Sequence, residues 1–222
     1  MERPIIIFSS KELLEDALLL DIKLKLTEAI SKFDVAKLLL SGGSTPSGLY
    51  QKLSSTNLEW SKVIVGLVDE RYIENTSNHS NEKLIRSTLL INQAKKATFV
   101  PMINTLSDEK ENFIKINQSY SIFNESTVVI LGMGEDGHTA SLFPKDPDSI
   151  SATNSKSSIH YTNSPSIPMR RITCTPSLLF SVKNIFLMIT GENKKAVLFN
   201  AVNNKLPIAL FKDVITTIYF SK

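Results

Sequence analysis

Short apolar runs alternate along this chain with longer amphipathic stretches, and the runs around Val63–Val68 and Val128–Leu131 carry no polar face at all. A strand of that kind must be covered on both sides, which happens when helices pack on both faces of a largely parallel sheet. Further strand candidates are Ile5–Phe8, Lys37–Leu40, Thr98–Val100, Thr127–Leu131, which contains the second of those runs, and Asn184–Thr190. The amphipathic stretches Lys11–Phe33, Pro46–Ser54, Ser80–Leu90, Asp108–Asn124, Pro176–Ser181 and Glu192–Val202 read as helices. Strands joined by helices build a doubly wound, mostly parallel α/β sheet with helices on both faces, expected here as one domain over residues 1–222. Pro144–Pro168, rich in Ser, Asn, Asp and Pro, reads as a loop beside the strand ends.

Composition narrows the function. Apolar residues make up 42% of the chain, enough to fill a core. The single cysteine, Cys174, excludes an internal disulfide framework and an all-cysteine metal site. No apolar stretch is long enough to span a bilayer, and Met1–Phe8 shows no signal-peptide pattern, so a cytoplasmic protein without a membrane partner is expected. Lys and Arg number 25 against 22 Asp and Glu, and the basic residues are scattered. That balance argues against nucleic acid and suits a locally basic pocket for an anionic small molecule.

Six of the eight glycines fall in two clusters, Gly42, Gly43, Gly48 and Gly132, Gly134, Gly137, each directly after a predicted strand. In open α/β sheets such loops hold the ligand. In Ser41-Gly42-Gly43-Ser44-Thr45-Pro46 the paired glycines permit a sharp turn and close approach to a ligand. Ser44 or Thr45 is placed to cap the next helix, and free amides with hydroxyls suit a phosphate; a plain capped turn would read the same way. The second cluster, Gly132-Met133-Gly134-Glu135-Asp136-Gly137-His138, opens with the dinucleotide pattern G-x-G-x-x-G. It lies past mid-chain, however, and no acid follows about 20 residues later to hold a ribose. His138, just past a glycine turn and near Asp136, has the placement of a general base whose ring a carboxylate orients. His79 and His160 sit in polar surroundings and read as surface residues.

Three further segments carry charge. Asp69-Glu70-Arg71-Tyr72 follows the strand Val63–Val68 and reads either as a site for a polyol and an anion or as a solvated loop with a local ion pair. Arg170-Arg171-Ile172-Thr173-Cys174 offers paired arginines for phosphate, or is an exposed basic edge strand; Cys174 itself reads as core. Lys194, opening a helix after Gly191, either reaches a phosphate or is solvated.

Together the pieces SGGSTP (Ser41–Pro46), DERY (Asp69–Tyr72), GMGEDGHTASLFP (Gly132–Pro144), RRIT (Arg170–Thr173) and GENKK (Gly191–Lys195) resemble the 6-phosphogluconolactonase family, in the superfamily that also holds glucosamine-6-phosphate deaminase. The resemblance implies a Rossmann-like fold and hydrolysis of 6-phosphogluconolactone to 6-phosphogluconate in the oxidative pentose phosphate pathway, with no metal and no organic cofactor. It implies His138 as the base that activates water and Asp136 as its partner. Gly42, Gly43, Ser44, Asp69 and Arg71 would then contact a small sugar-phosphate substrate, with Arg171 and Lys194 near its phosphate. One departure stands out: many members carry a lysine where this chain has Ser166, leaving Arg170 as a candidate replacement.

Three rivals differ in what they need. A deaminase of the superfamily places an acid after the histidine, where this chain reads Ser141-Leu142-Phe143-Pro144. A non-catalytic sugar-phosphate sensor usually carries a DNA-binding domain, for which about 40 residues before the first glycine loop leave little room. A nicotinamide-dependent oxidoreductase would rest on G-x-G-x-x-G alone.

Overall fold

The fully apolar runs become interior strands of a parallel sheet, as their lack of a polar face demands. The computed structural model describes residues 4–222. Its strands are β1 (Ile5–Phe8), β2 (Ala36–Leu40), β3 (Val63–Leu67), β4 (Asp69–Arg71), β5 (Thr98–Phe99), β6 (Val128–Leu131), β7 (Ile159–Asn163), β8 (Arg170–Cys174), β9 (Asn184–Thr190) and β10 (Thr217–Ser221). Its helices are α1 (Lys11–Phe33), α2 (Ser47–Ser54), α3 (Asn81–Thr88), α4 (Glu109–Tyr120), α5 (Pro147–Asn154), α6 (Pro176–Leu179) and α7 (Glu192–Phe199).

Seven strands form the main sheet in the order β1-β10-β9-β6-β2-β3-β5, every neighbouring pair parallel. From β2 the chain builds outward through β3 to β5; from β6 it builds the other way through β9 to β10. The reversal falls between β2 and β6, so the two glycine loops leave adjacent strands at the point where a crevice opens. Helix α1 shows how the covering layer is built. Ser10 caps it, accepting the Leu13 amide at 3.2 Å, and Leu14, Leu18, Ile22, Leu26 and Ile30 recur at helical spacing and are buried. Each such side chain contributes roughly 1.5–3 kcal/mol by leaving water. No helix among the described residues is long and apolar enough to cross a membrane.

A second, three-stranded antiparallel sheet, β4-β8-β7, was not expected. It corrects three readings. Asp69–Arg71 is a strand, not a loop, and Arg170–Cys174 is the middle strand of this sheet, not an exposed edge. Pro144–Pro168 is not one long loop, since it contains α5 and β7. Its polar composition hid both elements: Asp146 caps α5 with Pro147 in the first turn, and β7 buries only Ile159, Tyr161 and Thr162. The C-terminal strand β10 was also missed, although it sits between β1 and β9.

Candidate active site

The first glycine loop is pinned at its base. The Ser41 amide donates to the Ile130 carbonyl on β6 at 3.2 Å, and the buried Tyr50 hydroxyl donates to the Ser41 carbonyl at 2.6 Å. Gly42 lies against Asn81 so closely that a β-carbon there would be 1.8 Å from Asn81 Oδ1. Asn81 is itself fixed, donating from Nδ2 to the Asp69 carbonyl at 2.8 Å. Gly43 has φ of +92°, a conformation that favours glycine. Contrary to expectation, neither Ser44 nor Thr45 caps α2; Pro46 holds the cap position, without a side-chain hydrogen bond. The two hydroxyls are left beside the turn.

The second loop forms a tight turn. The Gly134 amide donates to the His138 carbonyl at 2.9 Å and the Gly137 amide to the Gly134 carbonyl at 3.1 Å, with Gly137 at φ of +78°. Asp136 Oδ1 accepts the His138 amide at 3.1 Å and lies 2.5 Å from His138 Nδ1. An ionised carboxylate only accepts, so Nδ1 carries the proton and Nε2 is left as the basic nitrogen. Burial pushes the Asp136 carboxyl up, but its hydrogen bonds with His138 and the charge of that ring outweigh burial, and its pKa falls below the ordinary value. Gly134 has to be glycine here, because a β-carbon would stand 2.2 Å from His138 Cε1 and 2.6 Å from Asp136 Oδ1. After Gly137 the chain runs to a bridge between Thr139 and Leu142 and reaches α5 only at Pro147. The G-x-G-x-x-G run therefore opens no helix, and the helix start that would seat a pyrophosphate is missing.

Strand β4 sorts its charges by alternation. Asp69 and Arg71 face the crevice, whereas Glu70 points the other way and is 1% exposed. Glu70 accepts the amides of Arg71, Asn81 and Glu82 at 2.7–2.8 Å and the Ser80 hydroxyl at 3.0 Å, clamping the start of α3 to β4. Burial still drives its pKa upward, against those four donors. Asp69 Oδ2 accepts the Ser141 hydroxyl at 2.5 Å. Arg71 donates from Nη1 to the His79 carbonyl and stands opposite Arg171 across β4 and β8. Arg171 is 6% exposed. Burial, followed by the charge of Arg71, lowers its pKa, with Asp69 and Glu70 opposing. Among the described residues no carboxylate forms an ion pair with either arginine, and both Nε atoms are buried without a hydrogen-bond partner. Two adjacent guanidiniums without a direct ion-pair partner are suited to holding an anion.

A cavity of about 310 Å³ brings Gly42, Gly43, Ser44, Asp69, Arg71, His138 and Lys194 to a single wall system. Asp136 and Arg171 stand behind it, holding His138 and flanking Arg71 respectively. Lys194 lines the cavity from α7, while Lys195 turns aside over the Phe220 ring, 4.8 Å from its centroid. Arg170 does not replace the missing lysine: it forks onto Glu109 at 2.9 and 2.6 Å and stacks on Tyr161. Ser166 is exposed and bonded to Ser164. Cys174 is fully buried, as expected of a core residue. Sequence reasoning missed Ser41, Asn81 and Met188, which also line the cavity. For Asn81 the only available signal was its place just after the capping Ser80.

Comparison with known proteins shows the family of the chain. The chain is 36% identical over 203 residues to a 6-phosphogluconolactonase of Helicobacter pylori, covering 87% of each chain. It is 37% identical over 185 residues to one of Xylella fastidiosa, covering 81% of this chain and 77% of the relative. The crystal structure of a 6-phosphogluconolactonase from Shewanella baltica superposes with a TM-score of 0.93 at 34% identity, covering 99% of this chain and 97% of the other. The profile of the family described as Glucosamine-6-phosphate isomerases/6-phosphogluconolactonase matches residues 9–219, and the chain belongs to that family.

Proposed function

We propose that this protein hydrolyses 6-phosphogluconolactone to 6-phosphogluconate, with His138 as the general base. The observation that carries the reading is the His138–Asp136 pair on one wall of a cavity that also holds the cations Arg71 and Lys194, neither of which is in an ion pair among the described residues. Water attacks the lactone carbonyl carbon as His138 Nε2 takes its proton; the bond from that carbon to the ring oxygen then breaks, and the proton passes to the ring oxygen. Asp136 holds the ring in the required tautomer and stabilises the imidazolium. The amides of Gly42, Gly43, Ser44 and Thr45 donate to no other described residue, and with Arg71, Arg171 and Lys194 they supply positive potential for the phosphate and the developing oxyanion. A general base contributes roughly 10²–10⁴-fold, so anchoring of the phosphate supplies much of the remaining acceleration.

The same reading makes residues 1–222 one cytoplasmic domain that acts on a small-molecule sugar phosphate and not on nucleic acid. The pairing of β1 with β10, which ties the two ends of the chain together, supports a single unit. The test measures 6-phosphogluconolactone hydrolysis above the spontaneous rate beside deamination of glucosamine 6-phosphate. Hydrolysis alone is expected, with kcat about 10²-fold lower or worse in His138→Ala and KM little changed. Deamination by the wild type, or near-normal hydrolysis by a folded His138→Ala, would sink the assignment.

A further inference from the structure

We infer that Leu206 is a positioning residue for the general base, acting through the turn that carries His138. The inference rests on the lactonase reading for its kinetic readout, though not for its structural one. Leu206 lies in the segment between α7 and β10, far along the chain from the histidine loop and outside every motif of the sequence. A β-carbon built on Gly137 would lie 2.6 Å from Leu206 Cδ1 and 2.8 Å from its Cβ, so the turn sits directly against this side chain. The Ile208 amide, at the start of a short 3-10 helix over Pro207–Phe211, donates to the Gly137 carbonyl at 3.1 Å. The segment is itself anchored: the Leu206 amide donates to the Ala201 carbonyl at 2.9 Å, and the Leu206 carbonyl accepts the Ala209 amide at 2.9 Å.

His138 is thus held from three directions. Asp136 holds Nδ1, the Phe143 ring packs against the imidazole with centroids 4.8 Å apart, and Leu206 with Ile208 backs the peptide from which the residue hangs. Only the last support comes from outside the histidine loop. Behind it lies an apolar groove of about 470 Å³ walled by Phe143, Leu206, Ile150 and Leu210. Leu206 is the partition between that groove and the Gly137 turn. Truncating it would remove the side chain that packs against the Gly137 turn and open the back of the turn to a space water can enter. Displacement of a catalytic group by about 1 Å is enough to cost on the order of 10²-fold in rate.

The experiment compares wild type, Leu206→Ala, Leu206→Ile and Leu210→Ala in steady-state lactone hydrolysis and by the NMR resonances of the His138 ring without substrate. Leu210→Ala is the control, because it enlarges the same groove while the atoms nearest the Gly137 β-carbon position all belong to Leu206. Leu206→Ala should lower kcat by about ten- to a hundredfold. KM should stay within about twofold, the His138 ring signals should shift or broaden, and Leu206→Ile should restore most of the rate. If Leu206→Ala fails to fold, Leu206→Val, the smaller truncation, is read by the same criteria. Unchanged kcat and unchanged ring signals would overturn the inference, as would equal losses in Leu206→Ala and Leu210→Ala. A wild type without lactonase activity would refute the functional reading instead, and the ring signals would still decide whether Leu206 positions His138.

Discussion

Gly134→Ala adds one methyl group to the loop and should dismantle the His138–Asp136 pair. The new carbon would stand 2.2 Å from His138 Cε1, 2.3 Å from Nδ1 and 2.6 Å from Asp136 Oδ1, whereas ordinary contact begins at 3.4 Å. Relief therefore needs a movement of more than 1 Å, and the 34% exposed imidazole must give way, breaking its contacts with Asp136 and Phe143, because the backbone is tied by the Gly134–His138 and Gly137–Gly134 hydrogen bonds. A ring swung out by that distance leaves Nε2 unable to reach the attacking water. The loss should be about 10²-fold in kcat, or about 2.7 kcal/mol on the barrier, with little change in KM because Arg71, Arg171 and Lys194 are untouched. The assay is initial-rate lactone hydrolysis corrected for spontaneous opening, with Tm to show that the variant folds. The double variant Gly134→Ala/His138→Ala adds a sharper condition. Both changes remove the same base, so the double should be no slower than His138→Ala alone. Turnover of Gly134→Ala within about threefold of wild type, or additive losses in the double, would refute the reasoning.

Arg171→Ala should raise KM for the phosphorylated lactone by about tenfold or more and leave an unphosphorylated lactone little affected, because the lost group is a charge-assisted anion donor. Equal loss on both substrates would move Arg171 to the carbonyl or to the fold. Ser166→Lys should be neutral or bind slightly tighter in the same assay, since position 166 is exposed. Glu70→Ala strips the acceptor from the amides of Arg71, Asn81 and Glu82 and should lower stability by about 3 kcal/mol or more in denaturant unfolding, with Glu70→Gln milder. Asp146 accepts the Ser149 amide and hydroxyl and the Asn163 amide at 2.7–3.1 Å; burial pushes its carboxyl up, but these bonds win and lower its pKa. Asp146→Ala should therefore cost about 1–2 kcal/mol at neutral pH. A depressed carboxyl contributes stability that is complete above its unfolded pKa of about 3.9 and is lost as pH falls through the folded value, so wild type and variant should converge in urea unfolding only under acid.

The main sheet was legible in the sequence because its constraint is local. Val128–Leu131, apolar at every position and followed by Gly132, reads as a strand covered on both faces, and Gly42–Gly43 after β2 and Gly132–Gly137 after β6 mark where the chain turns. The same nearness in sequence made the His138–Asp136 pair legible, because two residues are enough to place the Asp136 carboxylate on the His138 ring. What stayed hidden depends on partners distant along the chain. Strand β7 is polar enough to pass for loop until β8 covers it, and β10 counts as a strand only because β1 and β9 lie on either side of it. Arg170 and Arg171 are adjacent and chemically identical, yet one is neutralised by Glu109 and the other is buried beside Arg71 with no direct ion pair among the described residues. Sequence determines which side chains are available and how the nearest of them meet. Tertiary structure alone decided which charges are neutralised and which face the cavity, because desolvation and ion pairing act between groups that the chain brings together only on folding.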